Sequence, residues 1–479
     1  MTPKEIYINY ILKQINTTPY ITSNFLKNRD GEFNYRNSFF NLKNHIDNFL
    51  EGNTENRFIV MPGLRGVGKS TLLFQIYNYL KTKGIANNRI LYIPVDELKS
   101  LYGANLLDLI NVFVEDFHQS YPASLDNELF LLIDEAQEDK NWSKTGKIIF
   151  DQTRKIFMIF TGSNALDFES DINSLRRTSF ERIYPMNFQE FLYLKYNIPK
   201  IPISNDLMNL FLNGDIEEAS KKEREFLSNI SALEKPLRKE FEYFLSYGGF
   251  PLNFNMDEVN THRRIYELVV RVIENDVYRL KAFNGNTKNV LFYLLSFLAT
   301  QKPGGLSINS FSKNIGASRS NIIELLAILE KTHLIFHLNP YGGFSKMIRN
   351  PRKYYFLSPS INAAINFTLG KHNPAINDYL GNLAETLVAS SFFKLNNTIS
   401  KPNGIFTPTE KRMADFIITS FEQDKIAVEV GIGKKNKKQV KKTMNAYDCC
   451  RGVVISNSTS LIKKEDEIIY LPLSTFALM

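Results

Sequence analysis

The sequence predicts a multi-domain α/β protein built around a buried parallel sheet. Three observations carry that expectation. Over the first 186 residues, short apolar runs alternate with helical stretches. A glycine-rich loop joins the first of these runs to a helix. Beyond residue 186 the alternation gives way to helices, and the last hundred residues mix one helix with several strands. At 479 residues the chain is too long for one ordinary domain, and its length suggests about three.

In chain order, residues 36–50, "RNSFFNLKNHIDNFL", place apolar side chains at helical spacing. The strand candidates that follow are Phe58–Met61, Ile90–Val95, Leu129–Ile133 and Ile156–Thr161. Each is apolar on both faces, as a parallel sheet covered on both sides requires. Residues 187–285 read as helical, with a charged stretch at "NGDIEEASKKERE" and a turn at "YGGFP". Residues 286–360 read as helices followed by a hairpin. A loop near "TLGKHNPAIND" precedes the mixed segment 375–479.

The loop "GLRGVGKS" fits G-x-x-x-x-G-K-[ST]. Its residues are Gly63, Leu64, Arg65, Gly66, Val67, Gly68, Lys69 and Ser70, with Thr71 next. Glycines let the backbone wrap tightly and aim successive N–H groups at phosphate oxygens. Lys69 is expected to reach the outer phosphates, and the Ser70 hydroxyl to join a Mg2+ shell. The helix that follows adds its positive N-terminal end. Further on, "ELFLLIDEAQ" ends an apolar strand in Asp134 and Glu135. Ligands of open α/β sheets gather at the carboxyl ends of strands. Asp134 is therefore a candidate for holding the metal, and Glu135 for deprotonating an attacking water. The next strand, "KIFMIFTGSN", ends in Thr161, Ser163 and Asn164, polar side chains suited to sensing a terminal phosphate.

Together these three stretches resemble the AAA-type ATPases. The resemblance implies a sheet order of 5-1-4-3-2, with the sensor strand between the two motif strands, and ATP with Mg2+ as the ligands. "SLRRTSFERIYPMNFQEFL" and "SYGGFP" resemble one prokaryotic branch of that family. Its members carry a winged-helix segment and a C-terminal restriction-endonuclease-like domain. On that basis residues 1–186 are expected to form the ATPase core with a helical lead-in, 187–285 a helical lid, 286–360 a winged helix and 375–479 the nuclease-like domain. Arg176, Arg177 and Arg182 become candidates for an arginine finger completing a neighbouring subunit's site. Solvated arginines on a turn would look the same in sequence.

Within the winged-helix segment, helix Ile308–Asn314 is expected to lead through a turn at Gly316 into helix Ser318–Glu330. Ile322, Leu326 and Leu329 would face a core, and Arg319, Ser320 and Asn321 would lie exposed where a recognition helix meets base edges. A hairpin wing from Leu334 to Phe356 would carry Lys346, Arg349, Arg352 and Lys353, suited to phosphates. A scaffolding role is the alternative.

In the last segment, Glu385 lies on an amphipathic helix, Asp415 opens "DFIITSF" and Glu429 closes "KIAVEV". The resemblance implies that these carboxylates form a second metal site. An active member usually has a lysine two positions after the Glu, but Gly431 stands there. Losing a charge stabiliser of this kind costs about 100- to 1000-fold in rate, so the nuclease-like domain is expected to be degenerate. "GKKNKKQVKK" then sets Lys434, Lys435, Lys437, Lys438, Lys441 and Lys442 close together. They form a candidate grip on a nucleic-acid backbone, although charge runs are often only solvated surface.

Composition narrows the classes. The only cysteines, Cys449 and Cys450, are adjacent, which excludes a disulfide framework and suggests a reducing, cytoplasmic setting. No apolar run approaches the length of a membrane span. Scattered histidines suggest no site. The net charge of +8 permits a nucleic-acid partner, DNA in preference to RNA, without demanding one. The function expected is an ATP-hydrolysing switch or motor on nucleic acid. An ATP-gated nuclease and a protein-interaction switch are the alternatives, and a homo-oligomer is compatible with all three.

Overall fold

The apolar runs of the first 184 residues pair into one five-stranded parallel sheet. Its strands are β1 (Phe58–Pro62), β2 (Ile90–Pro94), β3 (Leu129–Asp134), β4 (Ile156–Gly162) and β5 (Ser179–Phe180). Their order is β5-β1-β4-β3-β2, the order that the resemblance implied. Every pairing is parallel, with Met61 opposite Thr161 and Pro94 opposite Asp134. Every residue of β1, β3 and β4 is buried, which explains why these strands read as unbroken apolar runs. In this computed structural model the described residues are 2–28, 31–162, 178–278, 285–302, 306–398, 402–421, 423–433 and 437–479. They divide into two units, Met1–Tyr184 and Pro185–Met479.

Helices cover the sheet of the first unit. Helix Pro3–Leu26 begins with a capping box between Thr2 and Glu5 and sinks Tyr10 and Ile11 into the core. Helix Asn37–Leu50 buries Phe39, Leu42, Ile46 and Phe49, the stripe that its 3–4 residue spacing predicts. Trp142, the sole tryptophan of the chain, packs its ring 5.6 Å from Phe160.

The second unit opens with helices, among them Phe188–Tyr196, Leu237–Tyr247 and Glu258–Arg271. The last two pack against helix Pro359–Thr368. Helices Ile308–Ile315 and Arg319–Lys331 lie within a residue of their expected bounds, and the Ser318 hydroxyl caps the second by accepting from Asn321 N. Ile322, Leu326 and Leu329 are buried as expected.

An eight-stranded mixed sheet spans the boundary that the sequence suggested near residues 360–375. Hairpin strands Ile335–Pro340 and Lys353–Phe356 form one edge, and the first pairs in parallel with Gly404–Thr407. Strands Phe416–Thr419, Lys425–Gly431, Arg451–Ser456, Ile468–Pro472 and Lys463–Glu465 continue it. A strand edge left open in the hairpin is thus satisfied by a partner about 67 positions away in sequence. The hairpin also differs from a simple wing. A short helix, Phe344–Arg349, fills its tip, so Lys346 and Arg349 lie on that helix and not on a returning strand. Pro351 cannot continue the helix, and the strand resumes at Lys353.

Candidate phosphate-binding site

The loop 63–68 leaves the end of β1 and opens helix Lys69–Thr82, as a phosphate cradle requires. Gly66 and Gly68 take positive φ angles of 80° and 97°, where a side chain would be strained. Gly63 is needed for another reason. A Cβ there would stand 2.4 Å from the Ile183 carbonyl oxygen, and Ile183 N donates to Pro62 O at 2.8 Å. Only glycine lets the two chains run this close.

Lys69 is buried, and its ammonium donates to Gly63 O at 2.8 Å and Leu64 O at 3.0 Å. The lysine thus folds back over its own loop. A second cation braces the loop from outside. Arg36, buried at the start of helix Asn37–Leu50, donates from Nη1 to Val67 O at 2.7 Å and from Nη2 to Tyr184 O at 3.0 Å. Sequence reasoning did not single out Arg36, because nothing local marks a contact made 31 residues along the chain.

Asp134 is buried at the end of β3, next to the loop. Its Oδ1 accepts from the Thr161 hydroxyl, and its Oδ2 from the Tyr92 hydroxyl at 3.1 Å. Burial pushes the carboxyl pKa up and the charge on Glu135 adds to this, while hydrogen bonds from Thr161 and Ser70 and the charge on Lys69 oppose it. Tyr92 shares this pocket, and burial followed by the charge on Asp134 drives its phenol far above the usual range. Thr161, at the end of β4, also stands 3.4 Å from Glu135 N.

Glu135 follows in a left-handed conformation, φ 50°. Its carboxylate accepts from Gln137 Nε2 and lies 3.9 Å from Arg65 Nη1. The loop, Asp134, Glu135 and Thr161 are therefore gathered at the carboxyl ends of β1, β3 and β4. Arg182 lies just past β5, its guanidinium 5.9 Å from the Phe180 ring. Asn164, Ser163, Arg176 and Arg177 fall outside the described residues.

In the second unit, Arg319 is exposed and Asn321 half-buried on the first turn of their helix. Lys437 and Lys438 are exposed at the start of helix Lys438–Tyr447, while Lys434 and Lys435 fall outside the described residues. The hairpin tip meets this region. Tyr341 N donates to Thr407 O at 2.8 Å, the Tyr341 and Tyr447 rings are 5.4 Å apart, and Tyr447 OH donates to Glu410. Lys442 Nζ reaches Lys411 O at 3.3 Å. Lys346, Lys411, Arg412, Lys441 and Lys442 are all exposed here.

The three carboxylates of the expected second metal site share one electrostatic neighbourhood. Burial, with the charges on Asp415 and Glu429, pushes Glu385 up to about 8, against the pull of Lys353 and Tyr355. Glu385 accepts from Tyr355 OH at 2.8 Å and lies 3.8 Å from Lys353 Nζ, while Asp415 Oδ2 accepts from Val430 N at 2.8 Å. Among the described residues, no group of three His, Cys, Asp or Glu side chains is arranged to hold a metal ion. Oxygens of Glu385 and Asp415 are engaged by protein donors instead. Lys353, expected to meet phosphate, is turned to Glu385. The histidines are also less scattered than they look in sequence. His262 and His372 meet edge to face, ring centroids 4.6 Å apart, beside Tyr247 and Phe367, and neither ring nitrogen of His262 has a partner among the described residues.

Comparisons with known proteins agree with this geometry. Residues 55–192 match the model of an AAA domain, and residues 238–400 match a domain of unknown function, DUF8612. The chain is 34% identical over 472 residues to the uncharacterized protein MJ1637 of Methanocaldococcus jannaschii, covering 98% of this chain and 94% of that protein. MJ1544 of the same organism, also uncharacterized, is 24% identical over 400 residues, covering 80% and 77%. Among solved structures, the Walker-type ATPase PABY2304 of Pyrococcus abyssi aligns with 71% of this chain and 97% of its own at 14% identity. Its TM-score of 0.43 is too low to carry an argument. No helix among the described residues is long and apolar enough to cross a membrane. The chain belongs to the family of the Methanocaldococcus jannaschii protein MJ1637 and carries an AAA-type domain built on a parallel sheet and a phosphate loop.

Proposed function

We propose that the protein is a Mg2+-dependent, ATP-hydrolysing switch or motor that acts on nucleic acid. The observation carrying this reading is the buried Asp134, hydrogen-bonded by Ser70 and Thr161 and placed beside a loop that Lys69 lines. A buried carboxylate next to a hydroxyl and a glycine cradle is the donor set that a magnesium nucleotide needs. Ser70 and Asp134 would hold the ion, which draws charge from the outer phosphates when bound. Lys69 would exchange its two loop carbonyls for phosphate oxygens. Glu135 would take the proton of the attacking water, and Asn164 and Arg182 would read the terminal phosphate, Arg182 in this or a neighbouring copy.

The nucleic-acid half of the reading rests on the second unit. Lysines on the first turn of helix Lys438–Tyr447 oppose the helix dipole, at a cost of about 0.3–1 kcal/mol each. Their presence suits a polyanionic ligand better than helix stability. Arg319 and Asn321, on the first turn of helix Arg319–Lys331, and Lys346 and Arg349, on helix Phe344–Arg349, are further candidate contacts. The test is ATP turnover with and without single- and double-stranded DNA or RNA. Turnover should need Mg2+, rise with one nucleic acid, and fall at least about 100-fold in Glu135→Gln. Absence of turnover under every condition would refute the reading.

A second reading, cleavage of the bound strand, draws on one observation. Lys353 sets an ammonium 3.8 Å from Glu385, although Gly431 supplies none. Strand breakage in the same reactions that is lost in Glu429→Ala would establish it.

A further inference from the structure

We infer that the hairpin tip is an apolar wedge that enters the minor groove of double-stranded DNA and kinks it. This rests on the nucleic-acid reading above and adds the mode of engagement. Phe344 is 79% exposed and Ile348 68% exposed, the first being the most exposed large apolar side chain among the described residues. They stand four positions apart on helix Phe344–Arg349, so they share one face. A single exposed apolar side chain needs no explanation, but an adjacent pair at the tip of an excursion does.

The surroundings identify the occupant. The segment 342–353, "GGFSKMIRNPRK", contains no acidic residue and four cations, Lys346, Arg349, Arg352 and Lys353. Lys346, Arg349 and Arg352 are exposed around the apolar pair. Lys411, Arg412 and Lys442 are exposed on the neighbouring loop and helix. Glu410 is the acidic group met there, and Tyr447 already donates to it. An apolar pair ringed by cations matches a groove whose floor is stacked bases and whose rims are phosphates. Proteins of several folds insert Phe or Ile between base steps in this way and bend the duplex by roughly 20–90°. An anionic membrane offers the same charge, but a helix of six residues with two apolar side chains gives it little to bury.

The tip is also held firmly enough to transmit a bend. Its strands belong to the eight-stranded sheet, Tyr341 N is tied to Thr407 O, and the Tyr341 ring packs against Phe406 and Tyr447.

The test uses the full chain and a short duplex labelled at both ends, with anisotropy reporting binding and energy transfer reporting the bend. The wild type should bind and shorten the end-to-end distance. The double variant Phe344→Ser/Ile348→Ser should bind with an affinity lowered less than about tenfold, an unchanged salt dependence and no bend. Lys346→Ala/Arg349→Ala should reduce the salt slope by about 2. If no duplex binds the wild type at any salt, the nucleic-acid reading falls and the wedge with it. If the wild type binds without bending, or the serine variant bends DNA as the wild type does, the wedge alone is overturned. Binding of anionic phosphatidylserine vesicles that is lost in the serine variant, with no bend in DNA, would assign the tip to membranes and overturn it as well.

Discussion

Replacing Arg36 by alanine should loosen the phosphate loop measurably. The guanidinium gives one hydrogen bond to Val67 O at 2.7 Å and one to Tyr184 O at 3.0 Å, from a buried position. Hydrogen bonds with a charged donor contribute about 1.5–3 kcal/mol each, and the alanine variant leaves two carbonyls short of a donor. The expected loss is about 3 kcal/mol. With a urea slope near 2 kcal/mol/M, the midpoint should fall by roughly 1.5 M. The sole tryptophan, Trp142, is buried in the first unit, so its fluorescence follows that unit's unfolding. If half of the lost energy served to hold the loop in shape, the dissociation constant for ATP should rise about tenfold. Arg36→Lys should recover less than half of the loss, because a lysine is a point donor and cannot span two carbonyls as a fork does. A midpoint within about 0.3 M of wild type in Arg36→Ala would show that the brace contributes nothing, and the argument for it would fail.

Two further outcomes follow from the second unit. Burial, with a smaller effect from the charge on His372, pushes the His262 imidazole down to about 3, below its unfolded value of 6.5. The neutral folded form is therefore favoured above pH 6.5, and its contribution is lost as pH falls from 6.5 towards 3. Between pH 7 and pH 5 the second unit should lose about 2 kcal/mol on this account. Urea unfolding followed by far-UV circular dichroism should show the loss in wild type and not in His262→Phe; equal slopes in both would refute the assignment. Replacing Lys437, Lys438, Lys441 and Lys442 by glutamine should flatten the salt dependence of nucleic-acid binding, by up to about one unit of slope per contact removed. A slope unchanged in the quadruple variant would make that lysine face ordinary solvated surface.

Much of the first unit was legible because its signals are local. A phosphate loop must follow a strand and open a helix, and "RFIVMPGLRGVGKSTLLF" displays all three parts in one window. Asp134, Glu135 and Thr161 were legible because acidic or polar residues stand at the ends of runs otherwise wholly apolar. Arg36 and Tyr92 were not. Each acts through a partner 31 or 42 positions away, on the loop for Arg36 and on the next strand for Tyr92, and neither breaks a local pattern. Pro94 lies opposite Asp134 only because β2 pairs with β3, an order that came from resemblance and not from periodicity. The merged eight-stranded sheet was hidden for the same reason, since the pairing of Phe406 with Asn339 leaves no mark in either segment. Glu385, Asp415 and Glu429 were recognisable as a pattern. The capture of Glu385 by Tyr355 and Lys353, and of Asp415 by the Val430 amide, depends on side-chain direction, which spacing does not encode.

The most direct test of the central claim is calorimetric titration of ATP, with and without Mg2+, into the wild type, Lys69→Ala and Asp134→Asn. Wild type should bind more tightly with Mg2+, Lys69→Ala should bind in neither condition, and Asp134→Asn should bind equally in both. No heat from the wild type, or a magnesium effect that survives in Asp134→Asn, would contradict the placement of nucleotide and metal between the loop and the end of β3.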